Sequence, residues 1–206
     1  MATAQIPTLQ DILQRHAGEA LPWADGLSAS VRPIRLQAGA AAFLAGVVHP
    51  YCYVLAQGLV KLAYVQPNGR EAIKSLLVEG DLFGSVSAIE PGGRTSFAAI
   101  ALEDCHTWRI AFAALEAAAV QHPAWQRLLT RAFRQLAWRK EERERELLTL
   151  TPAQRYARLM ETRPGIAARV SQADLALFLG ITPVSLSRIR GRLGLTRRAE
   201  PHRDDR

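Results

Sequence analysis

Cysteine is almost absent from this 206-residue chain, histidine is scarce, and no long apolar run occurs. The two cysteines, Cys52 and Cys105, are too few for a disulfide framework and have no C-x-x-C spacing for a metal. An iron–sulfur cluster held by four thiolates of one chain is excluded by count. Both cysteines lie in strand-like runs, where a small buried hydrophobe is the first reading and a redox-sensing thiol the lesser one. The five histidines show no ligand spacing such as His-x-x-x-His, so His49 and His106 read as core or surface residues rather than haem or metal ligands. A metal-holding β-barrel enzyme would need clustered His-x-His and Glu ligands in its strands, and these are missing; no enzyme is expected. No apolar segment approaches the ~20 residues that span a bilayer. The first residues also lack the basic-then-apolar pattern of a secretory signal. A reducing cytoplasm, without membrane attachment, is the expected location.

Basic charge is likewise missing from the first half of the chain. Residues 1–120 hold 8 Lys+Arg against 10 Asp+Glu, whereas residues 121–206 hold 18 against 9, and 17 of those 18 are arginine. A surplus confined to one half is the electrostatic footprint of a surface that faces phosphate. Arg197, Arg198, Arg203 and Arg206 read as a generic basic tail. The hydrophobic content of 49% is that of an ordinary globular protein, and the length admits one large or two small domains.

From about residue 31 to 111 short strands alternate with turn residues. Val31 to Leu36 and Tyr51-Cys-Tyr-Val-Leu alternate, followed by Gln57-Gly58, Leu59 to Val65, the turn Pro67-Asn-Gly-Arg, and Ala72 to Val78. Strands of this length between Gly-containing turns predict antiparallel sheet rolled into a sandwich or barrel. Asn68-Gly69 is the clearest hairpin signal. Ahead of the strands, residues 8–18 predict a short amphipathic helix from Thr8 to Gly18.

No proline or glycine interrupts the chain between Pro123 and Pro152. Trp125, Leu128, Leu129, Ala132, Phe133, Leu136 and Ala137 recur at helical spacing, and charged residues 139–146 follow. This predicts one helix of about 25 residues, ~37 Å long. Its first turns should pack on the barrel, its apolar stripe invites a second copy of itself, and opposite charges at i,i+4 spacing support the charged half. Thr151-Pro152 opens another helix that Pro164-Gly165 should end, giving about three helices after residue 150.

The most informative stretch is residues 171–193. Ser171 is placed to cap a helix, with Asp174 at the capping-box position. Leu175, Ala176 and Leu179 lie on one face, Ala176 leaves room for a crossing helix, and Gly180 suits the left-handed stop. Thr182 caps the next helix and Pro183 fits its first turn. Leu186, Ile189 and Leu193 form an apolar stripe, which leaves Pro183, Val184, Ser187, Arg188, Arg190 and Arg192 mostly outside it. This reads as a helix-turn-helix with a recognition helix over 182–193.

A β-roll, a long helix and a terminal helix-turn-helix in this order resemble the Crp/Fnr family of bacterial transcription regulators. The likeness rests on Tyr53-Val-Leu-Ala-Gln-Gly-Leu-Val-Lys-Leu, Asn68-Gly-Arg-Glu-Ala-Ile, Glu79-Gly-Asp-Leu-Phe-Gly-Ser, Ala101-Leu-Glu-Asp-Cys, Leu148 through Arg155-Tyr156, and Gln172 to Ile189. It implies an α+β fold: an antiparallel, jelly-roll-like β-roll at 1–120 that senses an effector, a dimerisation helix at 121–149, and a winged-helix-like helix-turn-helix domain at 150–206. It also implies a homodimer that binds a two-fold operator in double-stranded DNA and contacts RNA polymerase.

In the members that bind cyclic nucleotide, a Gly-Glu pair takes the ribose and an Arg-Ser pair takes the cyclic phosphate. Here the corresponding positions are Gly84 and Ser85, then Thr95 and Ser96, with Arg94 one residue early. A one-residue slip in a strand turns a side chain to the other face. The lost carboxylate and displaced cation argue against tight cyclic-nucleotide binding and for a different small-molecule effector, or none. For DNA, the matching base-reading positions are Pro183, Val184, Ser187 and Arg188, with Arg188 suited to a bidentate contact with guanine. Arg169, Ser171, Gln172, Thr182, Arg190 and Arg192 complete the expected DNA set, most of them as phosphate contacts. The alternative function is a cyclic-nucleotide or small-molecule module that acts through protein partners.

Overall fold

The computed structural model describes residues 6–66 and 69–192. These form two compact units that divide between Thr149 and Leu150.

The first unit opens with α1 (Leu9–Ala17) and the short α2 (Leu27–Ser30). Thr8 Oγ1 accepts the Asp11 N–H, the Asp11 carboxylate accepts the Thr8 N–H, and Gly18 ends the helix. Eight strands follow: β1 (Val31–Leu36), β2 (Ala41–Phe43), β3 (Tyr51–Gln57), β4 (Val60–Val65), β5 (Glu71–Leu77), β6 (Leu82–Phe83), β7 (Ala98–Ala101) and β8 (Cys105–Ala111), with α3 (Val86–Ile89) between β6 and β7. They make two antiparallel four-stranded sheets, ordered β1-β8-β3-β6 and β2-β7-β4-β5. The expected hairpin joins β4 to β5, where the Gln66 N–H reaches the Arg70 carbonyl at 2.8 Å; Pro67 and Asn68 lie outside the described residues.

Strand β3 corrects the sequence expectation. The sequence reads Tyr51 to Leu55 as an alternating strand, yet Tyr53, Val54, Leu55 and Ala56 are all buried. Successive side chains point to opposite faces. Tyr53 and Leu55 enter a core between the sheets with Phe43, Phe83 and Phe97, while Val54 and Ala56 join a second core under the helices. A strand covered on both faces carries an apolar run rather than an alternation.

That second core is built by α1, by α4 (Phe112–Gln121) and by the first turns of α5 (Pro123–Thr149). Trp125 and Leu128 are completely buried there, and the Trp125 indole N–H donates to the Pro22 carbonyl at 2.8 Å. Helix α5 is 27 residues long. Further along, Arg139 pairs with Asp81 of the roll at 2.8 Å. In the charged half Arg145 pairs with Glu142, three residues before it, and Glu141, four residues before it, adds attraction. No helix among the described residues is long and apolar enough to cross a membrane.

The second unit holds α6 (Pro152–Thr162), α7 (Pro164–Arg169), α8 (Gln172–Leu179) and α9 (Pro183–Arg192). Among described residues 150–192 four helices stand where about three are expected, because Pro164 and Gly165 open α7 directly after α6 ends. Proline fits a first helical turn as readily as it terminates a helix. Among described residues 150–192 there is no strand; Leu193 and the four tail arginines of the sequence reading fall outside the described residues.

Candidate nucleic-acid interface and effector pocket

Each helix of the α8–α9 pair is started and stopped by its own side chains. Ser171 Oγ accepts the Asp174 N–H at 3.0 Å and donates to the Asp174 carboxylate at 2.8 Å. The carboxylate thus meets the cap hydroxyl, where a capping box would have it take the Ser171 N–H. Gly180 ends α8 with φ +70, a left-handed conformation that an L side chain reaches only with strain. Two residues later Thr182 Oγ1 accepts the Ser185 N–H at 3.2 Å and starts α9. Arg155, at the start of α6, donates to the Leu179 carbonyl at 3.1 Å and to the Leu150 carbonyl at 2.7 Å. A guanidinium at the last carbonyls of α8 satisfies acceptors that the helix itself cannot.

Packing then decides which face of α9 is available. Leu186 is completely buried, among a core that includes Leu175, Ala176, Phe178 and Leu179 of α8. Pro183, Val184, Ser187, Arg188, Gly191 and Arg192 are exposed, a continuous stripe at i, i+1, i+4, i+5, i+8 and i+9. Val184 is 61% exposed, unusual for a β-branched residue with an available core. Ser171, Gln172, Thr182 and Arg169 are also exposed. Arg190 departs from the expected set: it is half-buried, with its Nε turned inward and unbonded. Gly191, which sequence reasoning passed over, sits in the exposed stripe.

In the roll, the five expected effector residues converge on one corner. Gly84 packs so closely that a Cβ there would stand 2.9 Å from the Tyr51 carbonyl oxygen. Ser85 is buried; its hydroxyl bonds Ser87 Oγ at 3.0 Å and accepts the Ser96 N–H at 3.2 Å. Thr95, at the position of the phosphate-binding arginine, is buried and spends its hydroxyl on the Leu44 carbonyl and the Val47 N–H. Arg94 is exposed and donates to the Gly46 carbonyl at 2.9 Å. The slip is therefore not absorbed: the cation stays outside and a neutral hydroxyl points in.

His49 and the cysteines are committed elsewhere. His49 Nε2 lies 3.0 Å from the Tyr53 hydroxyl, which donates to the Ala42 carbonyl, and its ring meets Phe43 and Tyr51. Burial first, then Arg109, lowers its pKa. The Cys52 thiol is pushed up to about 12 by burial, and Cys105 Sγ faces the Leu59 carbonyl. Among the described residues no three His, Cys, Asp or Glu side chains group as a metal site would require.

Comparison with known proteins places these pieces. The cyclic nucleotide-binding domain family matches residues 33–122, the roll and α4. A CRP-like cAMP-activated global transcriptional regulator of Mycobacterium tuberculosis is 32% identical over 72 residues. That stretch is 35% of this chain and spans about a third (32%) of the relative's length. By these matches the chain is similar to CRP-like regulators and to cyclic nucleotide-binding domains over residues 33–122. FixK2 of Bradyrhizobium japonicum superposes on it with a TM-score of 0.68 at 22% identity, over 80% of this chain and 84% of that one. A CooA variant of Carboxydothermus hydrogenoformans gives 0.69 at 16% identity, over 94% and 89%. The global regulator CLP of Xanthomonas campestris gives 0.66 at 18%, over 81% and 87%. At those identities the structures establish the shared fold. Glu79-Gly-Asp, one of the stretches that carry the resemblance, has a structural job here: Glu79 Oε1 accepts the Gly58 N–H at 2.9 Å and Asp81 closes the β5–β6 turn.

Proposed function

We propose that this chain is a DNA-binding transcription regulator of the Crp/Fnr type that acts as a homodimer on a two-fold operator. The observation that carries the reading is the exposed stripe of α9, with Arg188 at its centre and Leu186 anchoring the opposite face. Arg188 reads guanine, Val184 offers apolar contact to a thymine methyl, and Ser187 and Pro183 line the groove. Arg169, Ser171, Gln172, Thr182 and Arg192 hold phosphates and set register; half-buried Arg190 takes a lesser part. Dimerisation uses α5, where Leu136 and Trp138 are exposed and Phe133, in edge contact with Phe112, keeps an exposed side. Regulation then works through RNA polymerase at the promoter.

The domains follow: a sensor roll at 1–120, the dimerisation helix at 121–149 and the DNA module at 150–206. The M. tuberculosis relative is named as cAMP-activated and CLP as c-di-GMP responsive. In this chain Ser85 replaces the ribose carboxylate and Arg94 is turned away, so we assign it neither tight cyclic-nucleotide binding nor a cluster or metal cofactor. Footprinting of bound genomic sites, followed by gel-shift of a recovered promoter with a salt titration, tests the reading. Saturable, sequence-selective binding by a dimer is the expected result; a monomer without sequence preference overturns it.

A further inference from the structure

Gly191 stands inside α9, although nothing in the described chain asks for glycine there. Among the described residues nine glycines have positive φ, where a side chain would strain the backbone. At Gly84 and Gly93 an added Cβ would run into backbone carbonyl oxygens. Gly165 and Gly191 have neither reason: their φ is not positive, and beyond their own helical turns nothing lies within 4 Å of where a Cβ would stand. Gly165 falls in the first turn of α7, where the chain is only entering the helix and its N–H groups have no helical partner. Gly191 belongs to the body of α9, and it is not a left-handed stop of the kind that Gly180 provides for α8.

Glycine within a helix gives up the most backbone freedom of any residue and leaves the backbone open to water, so alanine would hold α9 better. The fold thus loses stability at Gly191 and gains neither a turn nor a packing contact. The surroundings of Gly191 point outside the chain for its reason. Ser187 and Arg188 stand four and three residues before it, one turn away on the same side, and Arg192 follows directly; all are exposed. Close approach of bare backbone to a ligand is the remaining use of glycine. The major groove is about 12 Å wide and a helix with its side chains about 10–12 Å across, so little clearance is left at the groove wall.

We propose that Gly191 is where α9 comes closest to the duplex, with a sugar–phosphate strand of the groove wall lying against helix backbone that bears no side chain. Arg192, next in the chain, then meets the adjoining phosphate. Gly191 is a positioning residue: it sets how deeply α9 seats and makes no polar contact of its own. The inference rests on the DNA reading of α9 and adds to it the reason for a residue that reads no base.

Fold and binding should respond to substitution in opposite directions. In the full chain Gly191→Ala should raise the unfolding midpoint by about 2 °C, the effect of replacing a helical glycine. In gel-shift at fixed salt, on an operator recovered by footprinting, it should weaken binding by about fivefold, and the bulkier Gly191→Leu by about fiftyfold or more. Gly165→Ala, outside the stripe, should leave binding unchanged. A wild-type chain that selects no operator removes the DNA reading and this inference with it. If the wild type binds and both Gly191 variants bind equally well, the place of Gly191 alone is overturned. A midpoint lowered by Gly191→Ala overturns it too, since the fold would then require the glycine, as does an equal loss of binding from Gly165→Ala.

Discussion

Arg188 and Arg190 are two positions apart, carry the same charge, and end in different surroundings. Their difference is one of helical phase: Arg188 falls on the stripe opposite Leu186, and Arg190 falls beside the buried face with its Nε inside. Arg188→Ala should therefore lower affinity for the specific operator by about 1–3 kcal/mol, read in gel-shift as a constant weaker by about fivefold to 150-fold. Non-specific DNA should lose far less, and equal losses on both would remove Arg188 from base reading. Cys52 offers a second prediction. Burial pushes its thiol up to about 12, which leaves little of the reactive thiolate near neutral pH. Mass spectrometry of the native protein after brief iodoacetamide treatment should find Cys52 unmodified, with labelling only after denaturation; rapid native labelling would reopen thiol sensing.

The long helix α5 shows how one element can serve two environments. Ala124, Trp125 and Leu128 are buried in the helical core, yet Phe133 and Trp138 remain 40% and 61% exposed only a few turns later. Apolar groups of that size, left in water along a helix, forgo burial energy that a second copy of α5 would recover at about 25 cal/mol per Å². Leu136→Asp should shift the protein from dimer to monomer in sedimentation, and specific DNA binding should fall with it. Far-UV circular dichroism should stay unchanged, because Leu136 lies outside the packed first turns. An unaltered dimer would place the interface elsewhere.

Charge and ligand linkage are properties of the assembled protein. With basic residues concentrated after residue 120, operator affinity should fall steeply with salt, since each neutralised phosphate releases counterion. Arg192→Ala should weaken binding to all sequences and flatten the log–log salt slope by about one per protomer. An unchanged slope removes Arg192 from the phosphate set. For the roll, a ligand at a hundredfold its dissociation constant would add ~2.7 kcal/mol of stability. Millimolar cyclic AMP should leave the unfolding midpoint unmoved, because Ser85 and Thr95 are already spent on Ser87, Ser96, Leu44 and Val47. A rise of several degrees would show that the corner reorganises to accept the nucleotide.

Much of this was readable along the chain because the signals are local. Caps such as Thr8, Ser171 and Thr182 act within one turn, and the uninterrupted stretch after Pro123 could only be a long helix. The hairpin at Gly69 follows for the same reason. Where local rules leave a choice, packing made it: Pro164 could end a helix or begin one, and the neighbouring chain put it at the start of α7. No periodicity could announce that β3 is covered on both faces, since that depends on α1, α4 and α5 arriving from distant parts of the sequence. Gly191 is equally silent in one dimension, for only the packed helix shows that no neighbour needs a glycine there. Amino-acid order thus decided the elements and the arginine-bearing helix. Which strand is covered on both faces, and which arginine is left in water, was settled by long-range burial, which weighs residues far apart in the chain against one another.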